Sequence, residues 1–228
     1  MITLKRATPE AVRYACLNYH YAKAIPSAYN AYNVYNEHSE WCGVIIFGGG
    51  ATPRLAGSVG CKTGEVMELV RVALNGKQPC TSECVGAALR QLHKDAPQVK
   101  IVVSFADCDQ QHYGTIYQAT NWIYLGTNSG NGYRFFIIHG KKTHPKSVHS
   151  QGWKQSLWWM REHVDPNAQE VYSEGKRKYI WVYDKKLRKE WQKKALPYPK
   201  KPCVSSSTAE QPAILREGGG STPTLTLQ

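Results

Sequence analysis

"VKIVVSFADCDQQHYGTIYQATNWIYLG", residues 99–126, decides the fold class. It begins with an apolar, β-branched run, "VKIVVSF", long enough for one strand buried on both faces. Asp107, Asp109 and His112 follow where that strand runs out. The spacing then predicts a helix over about "HYGTIYQATN" and a second strand at "WIYLG". A buried strand that gives way to a helix and then to another strand is the signature of an α/β sheet.

Working outward, "CGVIIFGGG" reads as a buried strand ending in glycines, and "GEVMELVRVAL" alternates as a second strand. "TSECVGAALRQLHKDAP" is a capped helix stopped by Pro97, and "YRFFIIHG" is a last strand. The interval 41–140 therefore reads strand, strand, helix, strand, helix, strand, strand. Ahead of it, "TPEAVRYACLNYH" has Thr8 as N-cap, Pro9 at the first helical position, and Val12, Ala15, Cys16 and Tyr19 on one face.

A chain of 228 residues is long enough to bury a substantial core. No run approaches membrane-spanning length, and "MITLKRATPEAVRYAC" lacks the apolar core of a signal peptide. Seven scattered Cys without a C-x-x-C pair indicate neither a disulfide framework nor a zinc ribbon, so the expected compartment is the reducing cytoplasm. The net charge of +12 is concentrated: residues 176–201 hold eleven Lys and Arg against Asp184 and Glu190. Aromatic residues interleave these charges in "KYIWVYDKKLRKEWQ", which favours an ordered surface that contacts phosphate over a merely solvated run. The expected organisation is a domain at 1–175, a basic DNA-contacting segment at 176–202 carrying Lys176, Arg177, Lys178, Lys185, Lys186, Arg188 and Lys189, and a disordered tail at 203–228.

The strand, loop and tyrosine-bearing helix resemble the core of the GNAT (general N-acetyltransferase) family. There the fifth strand leads through a loop, often with an Asn, into a helix reading A-x-x-x-Y-x-x-x-G-F. Here Asp107 takes the place of the Asn, Tyr117 matches the helix tyrosine, and Asn121-Trp122 replaces the terminal pair. Five further stretches, "YHYAKAIP", "GVIIFGGG", "ELVRVAL", "VVSFAD" and "HYGTIYQATNWIYLG", resemble in the same order the Mom DNA-modification proteins of phage Mu and its relatives. That resemblance spans residues 1 to roughly 180. It implies a GNAT-like mixed sheet flanked by helices with a basic C-terminal extension, and a host-cytoplasmic enzyme that converts adenine in duplex DNA to N6-carbamoylmethyladenine and so blocks restriction.

Asp107, at the carboxyl end of a central strand, faces the crevice where α/β sheets bind ligands. It is the candidate for accepting a proton from the adenine amine or fixing its hydrogen-bonding geometry. Its alternative role is N-cap of the helix near 110, which Asp109 can equally serve; Asp107 is ranked as catalytic and Asp109 as the cap. Tyr117 is either a leaving-group acid or a core tyrosine. His20 and Tyr21, on the loop after the first helix, are candidates for positioning or proton transfer. Arg71, Ser104, His112 and Tyr124 lie in the shared motifs as substrate-binding candidates. Asp107 and His112 alone make no metal site, and whether a metal takes part is left open. Tyr32 joins the substrate set through "SAYNAYNVYNEH", which reads either as an aromatic surface for an extruded base or as a polar hairpin strand. Gly76, Lys77, Thr81 and Ser82 form either a donor-phosphate site or a plain capped turn, since the GNAT Q/R-x-x-G-x-G/A spacing is missing. The donor is open: an activated glycyl group such as glycyl-tRNA, or an acyl-CoA. Two other readings remain, an acetyl-CoA-dependent N-acetyltransferase and a non-catalytic DNA-binding protein on this frame.

Overall fold

In the computed structural model, which describes residues 2–50, 54–128 and 134–201, a mixed sheet organises the chain. Its strands are β1 (Thr3–Arg6), β2 (Asn30–Tyr35), β3 (Trp41–Gly48), β4 (Val66–Leu74), β5 (Ile101–Asp107), β6 (Ile123–Asn128) and β10 (Lys176–Val182). Among the described residues their order is β1-β2-β3-β4-β5-β10-β6. Of the described strands only β4 and β5 pair in parallel. The expected fold class, a GNAT-like mixed sheet flanked by helices, is the one observed.

Three helices cover this sheet early in the chain. The first, α1 (Pro9–Tyr19), starts as its sequence dictates, with the Thr8 hydroxyl accepting from the Ala11 amide. It packs Val12, Ala15 and Cys16 on Val44, Ile46 and Ala73. The opposite face carries α2 (Thr81–Asp95), whose Val85, Leu89 and Leu92 meet Ile45, Phe47 and Val102. Its N-cap is Cys80, which makes no side-chain capping bond. Only Thr115–Ala119 of the expected third helix is α-helical, and it forms α3. A single 3-10 turn, Cys108–Gln110, and a left-handed Gly114 fill the preceding residues. A Cβ at Gly114 would stand 2.5 Å from the Tyr179 ring, so only glycine permits this close crossing.

A second sheet, β8-β7-β9, follows. It comprises β7 (Arg134–Ile138), β8 (Lys141–Thr143) and β9 (Gln169–Tyr172), backed by α4 (Pro145–Ser150) and α5 (Leu157–His163). Phe136, Ile138, Val148, Met160 and Ala168 form its own small core.

The division expected at residue 175 is not a fold boundary. Residues 176–182 are β10, paired on one side with β5 and on the other with β6. Tyr179 is buried on one face among Tyr117, Trp122 and Tyr124, and Ile180 and Val182 on the other, where Leu187 and Trp191 pack against them. The basic segment is thus built into the sheet, continuing through α6 (Lys185–Gln192), capped by Asp184. Beyond α6 the chain runs back over β6, with the Leu196 amide donating to the Tyr124 carbonyl. The tail expected at 203–228 lies outside the described residues.

Candidate active site

β4 and β5 pair only over Val66–Glu68 and Ile101–Val103, and beyond that their ladder ends. Ser104 sits at the fork. It is 1% exposed, and its hydroxyl lies 2.9 Å from the Leu69 carbonyl and 2.8 Å from the Tyr117 hydroxyl. The separating strands open a cleft of about 510 Å³ lined by Leu69–Val72 on one side and Phe105–Asp107 on the other. His20, Tyr21, His112 and Tyr117 line it as well, so residues far apart in sequence share one cleft.

Asp107 divides its carboxylate between two tasks. One oxygen accepts from the Asp109 amide at 3.1 Å and caps the 3-10 turn. The other accepts from the Tyr21 hydroxyl at 3.3 Å, inside the cleft. Capping and cleft duty therefore fall on the same residue, which corrects the expectation that Asp109 was the cap. Asp109 instead accepts from the Glu174 amide at 2.8 Å and pairs with Lys142, bracketing the second sheet to the strand end. The Lys142 ammonium, followed by the Glu174 amide, holds its carboxyl below the usual range against a desolvation penalty.

The His20 Nδ1 accepts from the Ala22 amide at 3.1 Å. With that lone pair engaged, the neutral ring carries its proton on Nε2. Burial, then the charges of Arg71 and His112, lowers its pKa to about 4. His20 is therefore a neutral hydrogen-bond donor, the opposite of a base. Tyr21 leaves 51% of its surface exposed, yet burial of its hydroxyl end and the Asp107 carboxylate push its pKa up to about 12. Its ring lies 4.4 Å from that of His20 and edge-on to His112 at 5.5 Å.

Tyr117 is both a core and a cleft residue. Its ring packs against Trp122 and Tyr179 in the core, each at 5.1 Å, while it also lines the cleft. Burial pushes its pKa up to about 12, with Ser104 acting in the opposite sense. Because Ser104 has one proton and two neighbouring acceptors, it can turn from Leu69 toward Tyr117 when the phenol gives up its own. Arg71 lines the cleft with one guanidinium N–H donating to the Val70 carbonyl at 2.7 Å and a buried Nε without a partner among the described residues. No group of three or more His, Cys, Asp or Glu among the described residues is placed to hold a metal.

Other candidates lie elsewhere. Tyr32 is 1% exposed and donates to the Asp95 carboxylate at 2.9 Å, so it is a core residue and cannot stack a base. Tyr124 is buried against Tyr179, with its hydroxyl 3.0 Å from Thr127. Ser104 supports Tyr117 and is not among the cleft-lining residues. Gly76, Lys77, Thr81 and Ser82 lie outside the cleft lining. The Gly76 amide is already bonded to Gln78, the Lys77 amide to Asn75, and the Thr81 hydroxyl accepts from Gln78. Ser82 meets the Cys80 thiol at 3.0 Å. The turn before α2 is thus held by its own side chains, while the first amides of α2 have no side-chain cap.

The basic residues also separate. Arg177 donates to the His112 carbonyl at 2.8 Å and lies over the Tyr113 ring, and Lys178 donates to Ser58. Arg188 donates to the Asn121 carbonyl and covers Trp181. Lys185, Lys186 and Lys189 are exposed on α6, whereas Lys176 lines the cleft. Sequence reasoning missed Glu68 and Lys201 as cleft residues. Glu68 lies three residues before Arg71 in a motif already noted; nothing local places Lys201.

Fold and cleft together define an α/β protein of GNAT-like architecture with a polar site at the parting of two central strands. The chain belongs to the Mom protein family, whose family model matches residues 1–200. No curated protein matches it. Solved structures similar to it include a dodecameric spermidine N-acetyltransferase from Vibrio cholerae, at 9% identity over 82% of this chain and 97% of that one, with a TM-score of 0.45. A Bacillus subtilis acetyltransferase in complex with CoA is 9% identical over 80% and 98%, with a TM-score of 0.42. The aminoglycoside acetyltransferase AAC(6')-Ib with coenzyme A and kanamycin is 11% identical over 83% and 98%, with a TM-score of 0.45. No helix of the described residues is long and apolar enough to cross a membrane.

Proposed function

We propose that this chain is a DNA-modifying transferase that converts adenine in duplex DNA to N6-carbamoylmethyladenine and thereby protects phage DNA from restriction. Membership of the Mom family supports the substrate class. The observation that carries the chemistry is the Asp107 carboxylate oxygen turned into the cleft toward Tyr21, with a neutral His20 beside it.

The donor is an activated glycyl ester. The adenine N6 amine attacks its carbonyl carbon, and Asp107 takes the proton that the amine loses. The His20 Nε2–H and the Arg71 guanidinium offer donors to the oxygen that becomes negative in the tetrahedral intermediate. When the C–O bond to the donor breaks, the departing alkoxide takes the Tyr117 proton, and Ser104 turns its hydroxyl to the phenolate. The attached glycyl amine then attacks ring C6. The original C6–N6 bond breaks, and the displaced nitrogen gains a proton as the terminal amide. This second step is an isomerisation, so no further reactant enters.

Donor carrying glycine labelled with heavy nitrogen tests the scheme. The label is expected on the nitrogen bonded to C6, with the original base nitrogen in the amide. Unlabelled product, or product whose original nitrogen remains on C6, would contradict it.

A further inference from the structure

Lys201 reaches the cleft from the far end of the chain. After α6, the backbone crosses the outer strand β6 as a strap held at three points. The Leu196 amide donates to the Tyr124 carbonyl at 2.9 Å, the Tyr198 hydroxyl to the Trp122 carbonyl, and the Gln118 amide group to the Pro199 carbonyl at 3.3 Å. Pro197 and Pro199 fix two backbone angles of this short run. Two residues past the last tether, Lys201 lines the same cleft as Asp107. Lys176 stands opposite Asp107 in the β5–β10 register and lines the same cleft.

Within the described residues, neither ammonium has a hydrogen-bond or carboxylate partner. With Arg71, the two lysines give the lining three cationic side chains against Asp107 and Glu68. Paired lysines beside a nucleophile-handling site suit a phosphodiester as a point-charge clamp.

We propose that the strap is a wall of the cleft, and that Lys201 and Lys176 together hold one phosphodiester of the nucleic acid engaged there. This inference rests on the DNA-modification reading. The phosphodiester belongs to the target DNA strand or to the acceptor end of a tRNA donor, and the chemistry of recognition is the same for both.

Fluorescence anisotropy with the full chain, on an adenine-containing duplex and separately on a tRNA, tests it across a range of salt. Lys176→Gln and Lys201→Gln should each reduce the log–log salt slope, and the double variant should lower it by about 0.9 in all on the duplex or about 0.7 on a single-stranded acceptor end, the share of one phosphate. Tyr198→Ala, which frees the strap without changing charge, should reproduce the Lys201→Gln effect. Thermal midpoints should stay at the wild-type value in both Gln variants, because both side chains are exposed. A reduced slope on the duplex assigns the clamp to DNA, and one on tRNA alone assigns it to the donor. Wild-type binding with unchanged slopes in both Gln variants overturns the clamp but leaves the DNA-modification reading standing. An unchanged slope in Tyr198→Ala alone overturns the strap's part in it. A wild-type chain that binds neither nucleic acid overturns both.

Discussion

Asp107 shows why a single side chain can look both structural and chemical. Its strand-end position exposes the first amides of a turn, and one oxygen satisfies the Asp109 amide while the other remains in the cleft. Asn keeps an acceptor for the cap but loses the charge, so Asp107→Asn separates the two duties. Tyr32 makes the converse case: its spacing from Tyr29 and Tyr35 suggested a stacking surface, but side chains three apart on a strand cannot all share a face. Tyr32→Phe should cost about 1 kcal/mol in urea unfolding through loss of the bond to Asp95, and should leave the modification rate unchanged. Asp95 would keep Arg6 and Gln91 as partners. His20 carries a pH signature. Its pKa is lowered from 6.5 to about 4 in the fold, so between these values the unfolded chain binds a proton that the folded chain refuses. The stability it contributes is complete above pH 6.5 and is lost as pH falls toward 4. The urea midpoint should therefore drop less over that window in His20→Asn than in the wild type.

At the level of elements, the order across 41–140 was legible because each apolar run is bounded by a cap, a glycine or a proline. The third helix is shorter than the expected 112–121 because Gly114, in the left-handed region, stands as its N-cap and delays its start to Thr115. β10 was hidden for an electrostatic reason. Its apolar half, Tyr179 to Val182, follows directly on Lys176, Arg177 and Lys178, so the charges dominated the reading of a strand that joins β5 to β6. His20, Tyr21, Arg71, Asp107, His112 and Tyr117 share one cleft, but the fork that makes it depends on where the β4–β5 ladder stops, which no local pattern encodes. The second sheet also escaped notice, and Asp109 ties it to the site. Asp109→Ala should speed hydrogen exchange across 134–175 while leaving protection in β3, β4 and α2 intact, because only the bracket to Lys142 and Glu174 is lost.

At the scale of the whole molecule, the positive charge of the basic segment is divided: Lys176 lines the cleft at the start of β10, whereas Lys185, Lys186 and Lys189 are exposed on α6. Replacing the three α6 lysines with Gln should lower the duplex salt slope by up to ~2.7 and leave turnover at saturating DNA unchanged. The central claim, that a strand-end carboxylate in this cleft drives adenine modification, is tested most directly by nucleoside mass spectrometry. DNA from cells expressing the wild-type chain would be compared with DNA from cells expressing Asp107→Asn at equal soluble level. A deoxyadenosine carrying the mass of a carbamoylmethyl group in the first, reduced at least ~100-fold in the second, is the predicted result. Equal modification in both, or unmodified adenine with the wild-type protein, would contradict it.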